Sequence, residues 1–236
     1  MGIGETRPRK MALTSSLFQC SDPKKWQQVS DIYWDVVEAA GAKKKRLVEL
    51  DRWFQEELQA TISARPQKSL KQEELVKLME WKLLRGKFRP RLQQMAASNP
   101  ESTVESCTRK AFQRLPDVSA AIEELCTLKG IGPATASAVL CAGAPESAAF
   151  MADEAVESVP GLVPVQYNLK HYLKFLEEMR KKAQTLNADS EEENWTPHRV
   201  ELCLWAWKVG QKSCPKLLEA LEDSDERPAK KLKTKQ

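Results

Sequence analysis

Leu125-Cys126-Thr127-Leu128-Lys129-Gly130-Ile131-Gly132-Pro133-Ala134-Thr135-Ala136-Ser137-Ala138-Val139-Leu140 is the stretch from which the rest of the chain is best read. A helix with an apolar face ends at Gly130, where glycine tolerates the positive φ of a helix C-terminus. Ile131 points back into the core and pins the turn. Gly132 lets the backbone approach an outside group, and Pro133 opens a second helix at its first position, where proline costs no hydrogen bond. The unpaired N–H groups of that helix, with the positive end of its dipole, then face outward from a glycine turn. Such a site is made of backbone, suits a phosphate and reads no base sequence. Its candidate residues are Lys129, Gly130, Ile131, Gly132, Ala134 and Thr135, the last through its hydroxyl. The bland alternative is a tight helix–helix turn with no ligand, since glycines are common at such turns.

Working outward, apolar residues keep helical spacing. Asp22-Pro23 starts a helix carrying Trp26, Val29, Ile32, Tyr33, Val36 and Val37. A second follows Gly41 with Leu47, Leu50, Trp53, Phe54 and Leu58, and a third runs from about residue 70 with Leu75, Leu78 and Met79 on one face. Pro100 opens a helix with Val104, Cys107, Ala111 and Phe112, and Asp117 or Ser119 caps the next, whose inner face is Ile122, Leu125 and Cys126. Residues 168–186 present Leu169, Tyr172, Leu173, Leu176 and Met179 as one stripe. Thr196-Pro197 begins a helix whose Val200, Leu204, Trp205 and Trp207 indicate burial on more than one side. The strand-like piece Gly161–Gln166 is short and contains Pro164. The expected fold class is all-α. Residues 1–21 are expected to be disordered, 22–222 to form one helical domain with the hairpin at 122–141, and 223–236 to form a disordered basic tail.

Bulk numbers narrow the function classes. Of 236 residues, 42 % are hydrophobic and 30 % charged, a globular composition with a well-charged surface. A net charge of +4 is too mild to establish nucleic-acid binding, so the distribution of charge has to decide. Cysteines at 20, 107, 126, 141, 203 and 214 form no C-x-x-C pair and no zinc spacing, and read as reduced core thiols of an intracellular protein. His171 and His198 are isolated, and neither reads as a base or a metal ligand. No metal, no cofactor and no membrane partner are expected, and no signal-peptide pattern opens the chain.

The hairpin has the form L-x-G-I-G-x-x-T-A, carried by Leu128, Gly130, Ile131, Gly132, Thr135 and Ala136. In that form it resembles the helix-hairpin-helix of DNA-binding proteins, and in particular the endonuclease III superfamily of DNA glycosylases. The resemblance implies a two-lobed helical fold with the hairpin beside a cleft that admits an extrahelical base. It also implies an aspartate roughly twenty residues after the hairpin that assists breakage of the N-glycosidic bond. Asp153 lies 21 positions after Gly132, and Asp153-Glu154-Ala155-Val156-Glu157-Ser158-Val159 is similar to the family's D-x-x-V-x-x-V helix start. A carboxylate suits that role because departure of a base leaves an oxocarbenium-like sugar, which a fixed negative charge stabilises. The structural alternative for Asp153 is a helix N-cap.

Two departures refine what the resemblance implies. Family members that also cut the strand use a Schiff-base lysine two residues after the second glycine, where this chain has Ala134, and Lys129 inside the turn does not replace it. A monofunctional enzyme or an inactive relative is therefore expected. The four-cysteine iron–sulfur cluster of many relatives is also absent, since Cys203 and Cys214 alone cannot supply it.

Two basic regions complete the reading. Lys82, Arg85, Lys87, Arg89 and Arg91 are interleaved with Trp81 and Phe88, and are expected on a loop, free of acidic partners, as phosphate contacts. The alternative is an ordinary solvated helix end with both aromatics in the core. Lys230, Lys231, Lys233 and Lys235 follow an acidic patch and resemble a short nuclear localisation signal, which implies an import receptor and a nuclear location; a solvated tail is the alternative. A monomer is expected. Three functions compete: a monofunctional DNA glycosylase using Asp153, a non-catalytic DNA-binding protein that kept the hairpin, and a nuclear adaptor.

Overall fold

The computed structural model of the protein describes residues 16–190 and 194–225, with side chains as far as 221, and all regular structure among them is helical. The all-α expectation is met. A 3-10 turn (Leu17–Gln19) precedes α1 (Pro23–Asp31) and α2 (Tyr33–Gly41). Next, α3 (Leu47–Arg52) continues through a π-helical stretch (Trp53–Leu58) into α4 (Gln59–Ser63). The middle of the chain gives α5 (Gln72–Arg85), α6 (Pro90–Ala97), α7 (Glu101–Arg114), α8 (Val118–Leu125) and α9 (Pro133–Gly143). The last part gives α10 (Asp153–Glu157), α11 (Leu169–Ala188), α12 (Pro197–Ser213) and α13 (Pro215–Asp225).

The starts of these helices follow their local chemistry. Asp22, Asp117, Asn168 and Thr196 each accept a first-turn backbone N–H through their side chains, at 3.0, 3.0, 2.9 and 3.1 Å. Proline occupies the first helical position of α1, α6, α9 and α12. Several expected boundaries shift. The single helix expected from Asp22 is two helices, broken at Ile32. Pro90–Ala97 is helical, where Arg91 was expected on a loop, and the strand-like Gly161–Gln166 forms loop. Leu17, in the segment expected to be disordered, is buried against the core, and α13 continues to Asp225, past the expected end of the domain.

Two groups of helices share one core that runs from Leu17 to Leu218. In the first, α12 packs against α1, α2, α10, α11 and α13. In the second, α5 packs against α6, α7 and α9, and α8 lies between α7 and α9. Every residue of α9 after Pro133 is buried, as expected of a central helix that is apolar all round. Only its N-terminal end reaches the surface, and that end is the hairpin.

Arg85 ties the two groups together from inside and is 2 % exposed. Its guanidinium donates to Tyr33 Oη at 2.5 Å, Asp51 Oδ1 at 3.0 Å and Glu201 Oε1 at 3.2 Å, and lies 4.1 Å from the Trp205 ring centroid. Trp81 Nε1 donates to the same Asp51 oxygen at 2.7 Å. Burial, before any charge effect, raises the Tyr33 phenol well above its ordinary value, so it stays a donor to Asp51. The expected phosphate contact by Arg85 is therefore wrong. Arg85 and Trp81 stand one turn apart on α5, so both point inward where two carboxylates wait.

Candidate nucleic-acid interface

The hairpin turn is held from below. After Cys126 closes α8, the N–H of Leu128 reaches Leu125 O at 3.1 Å and that of Ile131 reaches Leu128 O at 3.2 Å. Asn99, between α6 and α7 and buried, accepts the Lys129 N–H at 2.9 Å and donates to Lys129 O and Ala96 O at 3.0 Å each. It acts as a bracket on the turn, which the sequence analysis missed because its partner lies 30 residues away.

The two glycines do different work. Gly130 has φ +80°, and an added Cβ would sit 2.7 Å from Met95 Cβ and 3.2 Å from Leu92 O. It lets α6 pack beneath the turn. Gly132, by contrast, has no atom within 4 Å of an added Cβ, so its outer side is open. Among the described residues, no acceptor pairs with the N–H groups of Gly132 and Ala134. They stand at the start of an 11-residue helix, where the dipole adds to their attraction for an anion.

Two expected members of the site play other parts. The Ile131 N–H is used inside the turn and its side chain is buried, so Ile131 anchors the turn without presenting a donor. Thr135 is also buried, which withdraws it from the expected hydroxyl contact, and its N–H bonds to Gly132 O at 2.9 Å. Lys129 is exposed beside Gly132.

Asp153 comes to the same place by a separate route. The Ser137 hydroxyl of α9 donates to Ala134 O at 2.9 Å and accepts the Met151 N–H at 3.0 Å, fixing the chain two residues before Asp153. Ala134 and Asp153 thereby border one cavity of about 40 Å³, with Lys82, Phe150 and Tyr167 also in its wall. Asp153 is not an N-cap: Ala152 holds that position and Asp153 is the first helical residue. Its carboxylate instead accepts from Tyr167 Oη at 2.8 Å and pairs with Lys87 Nζ at 2.8 Å. Burial and then the bond to Asp153 raise the Tyr167 phenol, so it serves as a donor at neutral pH. Burial likewise raises the pKa of the neighbouring Glu154 carboxyl, whose Oε2 has no hydrogen-bond partner among the described residues.

The rim of this cavity is basic. Lys87 and Arg89 line it and are exposed, Arg91 is exposed but outside its lining, and Lys82 is half-buried with its ammonium pKa lowered by burial and then by Arg89. Arg89 lies 5.3 Å from the Tyr167 ring. The stretch does have acidic partners, contrary to expectation, because Lys87 meets Asp153 and Arg85 meets Asp51 and Glu201. Its two aromatics separate: Trp81 is buried, and Phe88 is 73 % exposed at the tip between Lys87 and Arg89. The candidate nuclear-localisation lysines, Lys230, Lys231, Lys233 and Lys235, lie outside the described residues.

No curated protein and no solved structure matches the chain. Residues 108–142, from within α7 to the last turn of α9, match the model of the helix-hairpin-helix motif. The protein thus carries a helix-hairpin-helix, a motif that points to nucleic-acid binding.

Proposed function

We propose that this protein holds DNA by its phosphate backbone at the hairpin and acts as a monofunctional DNA glycosylase, with Asp153 as the carboxylate beside the N-glycosidic bond. One observation carries the reading: Ala134 of the hairpin and Asp153 border the same cavity. A phosphate on the Gly132 and Ala134 N–H groups would bring its nucleotide within reach of that carboxylate. Loss of the base leaves positive charge on the sugar, which Asp153 stabilises while it orients a water for attack. With a methyl group at Ala134 and no amine there, water takes the place of a Schiff-base nucleophile. The exposed Phe88 supports the same reading, because an aromatic can occupy the gap that an extruded base leaves in a stack. Lys87, 65 % exposed, is free to swing from Asp153 to a phosphate.

A non-catalytic DNA-binding protein is the second reading. It is favoured by the cavity's about 40 Å³, room for a few waters rather than a base, and by the two partners already on Asp153. Nuclear location, through the basic cluster at Lys230–Lys235, forms part of both readings.

Fluorescence anisotropy with a duplex carrying a stable abasic analogue, beside undamaged duplex, tests the first step. The abasic duplex is expected to bind more tightly, with the preference lost in Gly132→Ala and kept in Asp153→Asn. Duplexes with damaged or mispaired bases are then expected to yield alkali-labile sites with the wild type and none with Asp153→Asn. Binding without excision leaves the second reading. No binding at low salt sinks both.

A further inference from the structure

The wall of the cavity that holds Asp153 includes two lysines, and their surroundings differ. Lys87 is exposed and its ammonium is bonded to Asp153, a contact that raises its pKa and keeps it charged. Lys82 is half-buried, and among the described residues no hydrogen bond or ion pair is made to its amine. The Lys82 nitrogen is nonetheless not sealed from solvent. Burial, and then the charge of Arg89, lower its pKa against the opposing pull of Asp153. Such an amine gives up its proton more readily than a surface lysine, and the neutral amine is the nucleophilic form.

The position of Lys82 is also fixed. It lies in the last turn of α5, where its carbonyl accepts the Gly86 N–H at 3.0 Å. Trp81 and Arg85 of the same turn are both tied to buried Asp51, at 2.7 and 3.0 Å. A rigid helix end therefore presents the amine to the cavity, while Lys87 sits on the loop beyond. The cavity's about 40 Å³ leaves room for a small carbonyl group, where a base does not fit.

We propose that Lys82 forms a Schiff base with an aldehyde that enters this cavity. The neutral amine attacks the carbonyl carbon, so that a C–N bond forms and the C=O electron pair moves to oxygen. Asp153, in the same wall, carries protons from the nitrogen to that oxygen. The carbonyl oxygen and both amine hydrogens leave as one water, and the imine remains. Addition of water reverses the step and restores the amine. Two sources share this chemistry: a small sugar aldehyde, and the ring-opened sugar that loss of a base leaves in a strand. The strand source rests on the proposed DNA reading. There the amine acts after water has released the base, as a reversible covalent hold on the product. The reactivity of Lys82 itself does not depend on that reading.

Sodium cyanoborohydride, which reduces imines and spares aldehydes, tests the proposal on the full chain at neutral pH. The probes are a duplex with a preformed abasic site, which needs no excision, and 2-deoxyribose 5-phosphate. Peptide mass spectrometry locates the modified lysine. With at least one probe, Lys82 is expected to take at least ten times the label of any other lysine. Lys82→Arg keeps the charge but has no amine, and is expected to remove that preferred adduct while retaining the circular dichroism of the wild type. Capture of the abasic duplex at Lys82 assigns a strand aldehyde. Preferred labelling by the free sugar phosphate alone assigns a small aldehyde, whether or not the duplex binds. An adduct favouring Lys87, label spread evenly over the lysines, or no adduct with either probe overturns the proposal, even where the duplex binds at the hairpin.

Discussion

Arg85 shows what a single side chain decides in this molecule. Replacing it with methionine leaves Asp51 and Glu201 buried without a cation, which is expected to cost about 3–5 kcal/mol of stability in urea unfolding. DNA affinity per folded molecule should be unchanged, because the guanidinium faces no solvent. A lysine is a poor substitute, since its compact ammonium lacks the planar fork whose two nitrogens reach Tyr33 and Asp51 on one side and Glu201 on the other. The sequence carried a signal for this role that the density of basic residues outweighed: Leu78, Trp81 and Arg85 share one face of α5. Glu154 gives a pH prediction. Burial makes its carboxyl hold a proton more tightly in the folded chain than in the unfolded one. The folded state thus loses stability as pH climbs from the ordinary carboxyl value through the raised one, and then levels off. Glu154→Gln has no such step, so its stability relative to the wild type should grow across that window and stay higher at neutral pH. A difference independent of pH would count against a raised Glu154.

At the scale of elements, the hairpin is where legibility was greatest. Gly130, Gly132 and Pro133 each have one strong local preference, and the turn they dictate is the turn observed. Caps at Asp22, Asp117 and Thr196 were equally readable, because each acts within three residues of itself. The same reading missed α6, since Gly86 and Pro90 look like breakers and the helix gains its stability from packing under Gly130. Asn99 and Tyr167 were missed for the same reason: their partners are fixed by tertiary packing, which no local spacing encodes. The contrast between the two glycines is testable. Gly130→Ala is expected to cost at least about 1–2 kcal/mol from its left-handed φ, and more from the clash with Met95. Gly132→Ala should stay within about 0.5 kcal/mol of the wild type while DNA affinity falls. Equal stability losses in denaturant would refute that division of labour.

For the whole molecule, one continuous core predicts one cooperative transition. Tryptophan fluorescence, which reports mostly on the α12 group through Trp26 and Trp205, and helical circular dichroism should then give the same urea midpoint. Separate midpoints would mean that the two groups of helices fold independently, as distinct lobes. The all-helical class was readable from periodicity alone. The way the groups interlock was not, because α12 is buried on several sides, charged Glu201 included, and its sequence does not reveal which helices it meets.

The place of α12 has a consequence for biosynthesis. Trp26, Val29, Val36 and Val37 leave the ribosome more than 150 residues before the helix that α1 and α2 pack against (about 160 residues separate Val37 from Pro197). The partners of α5 through α9 are close in sequence, so the hairpin half can assemble while the N-terminal helices still wait. Until α12 emerges the nascent chain therefore presents a finished turn beside unsheltered apolar helices, the kind of surface chaperones recognise. A stop codon ahead of Pro197 would make that interval permanent, and the truncated product would keep its motif yet be a substrate for degradation.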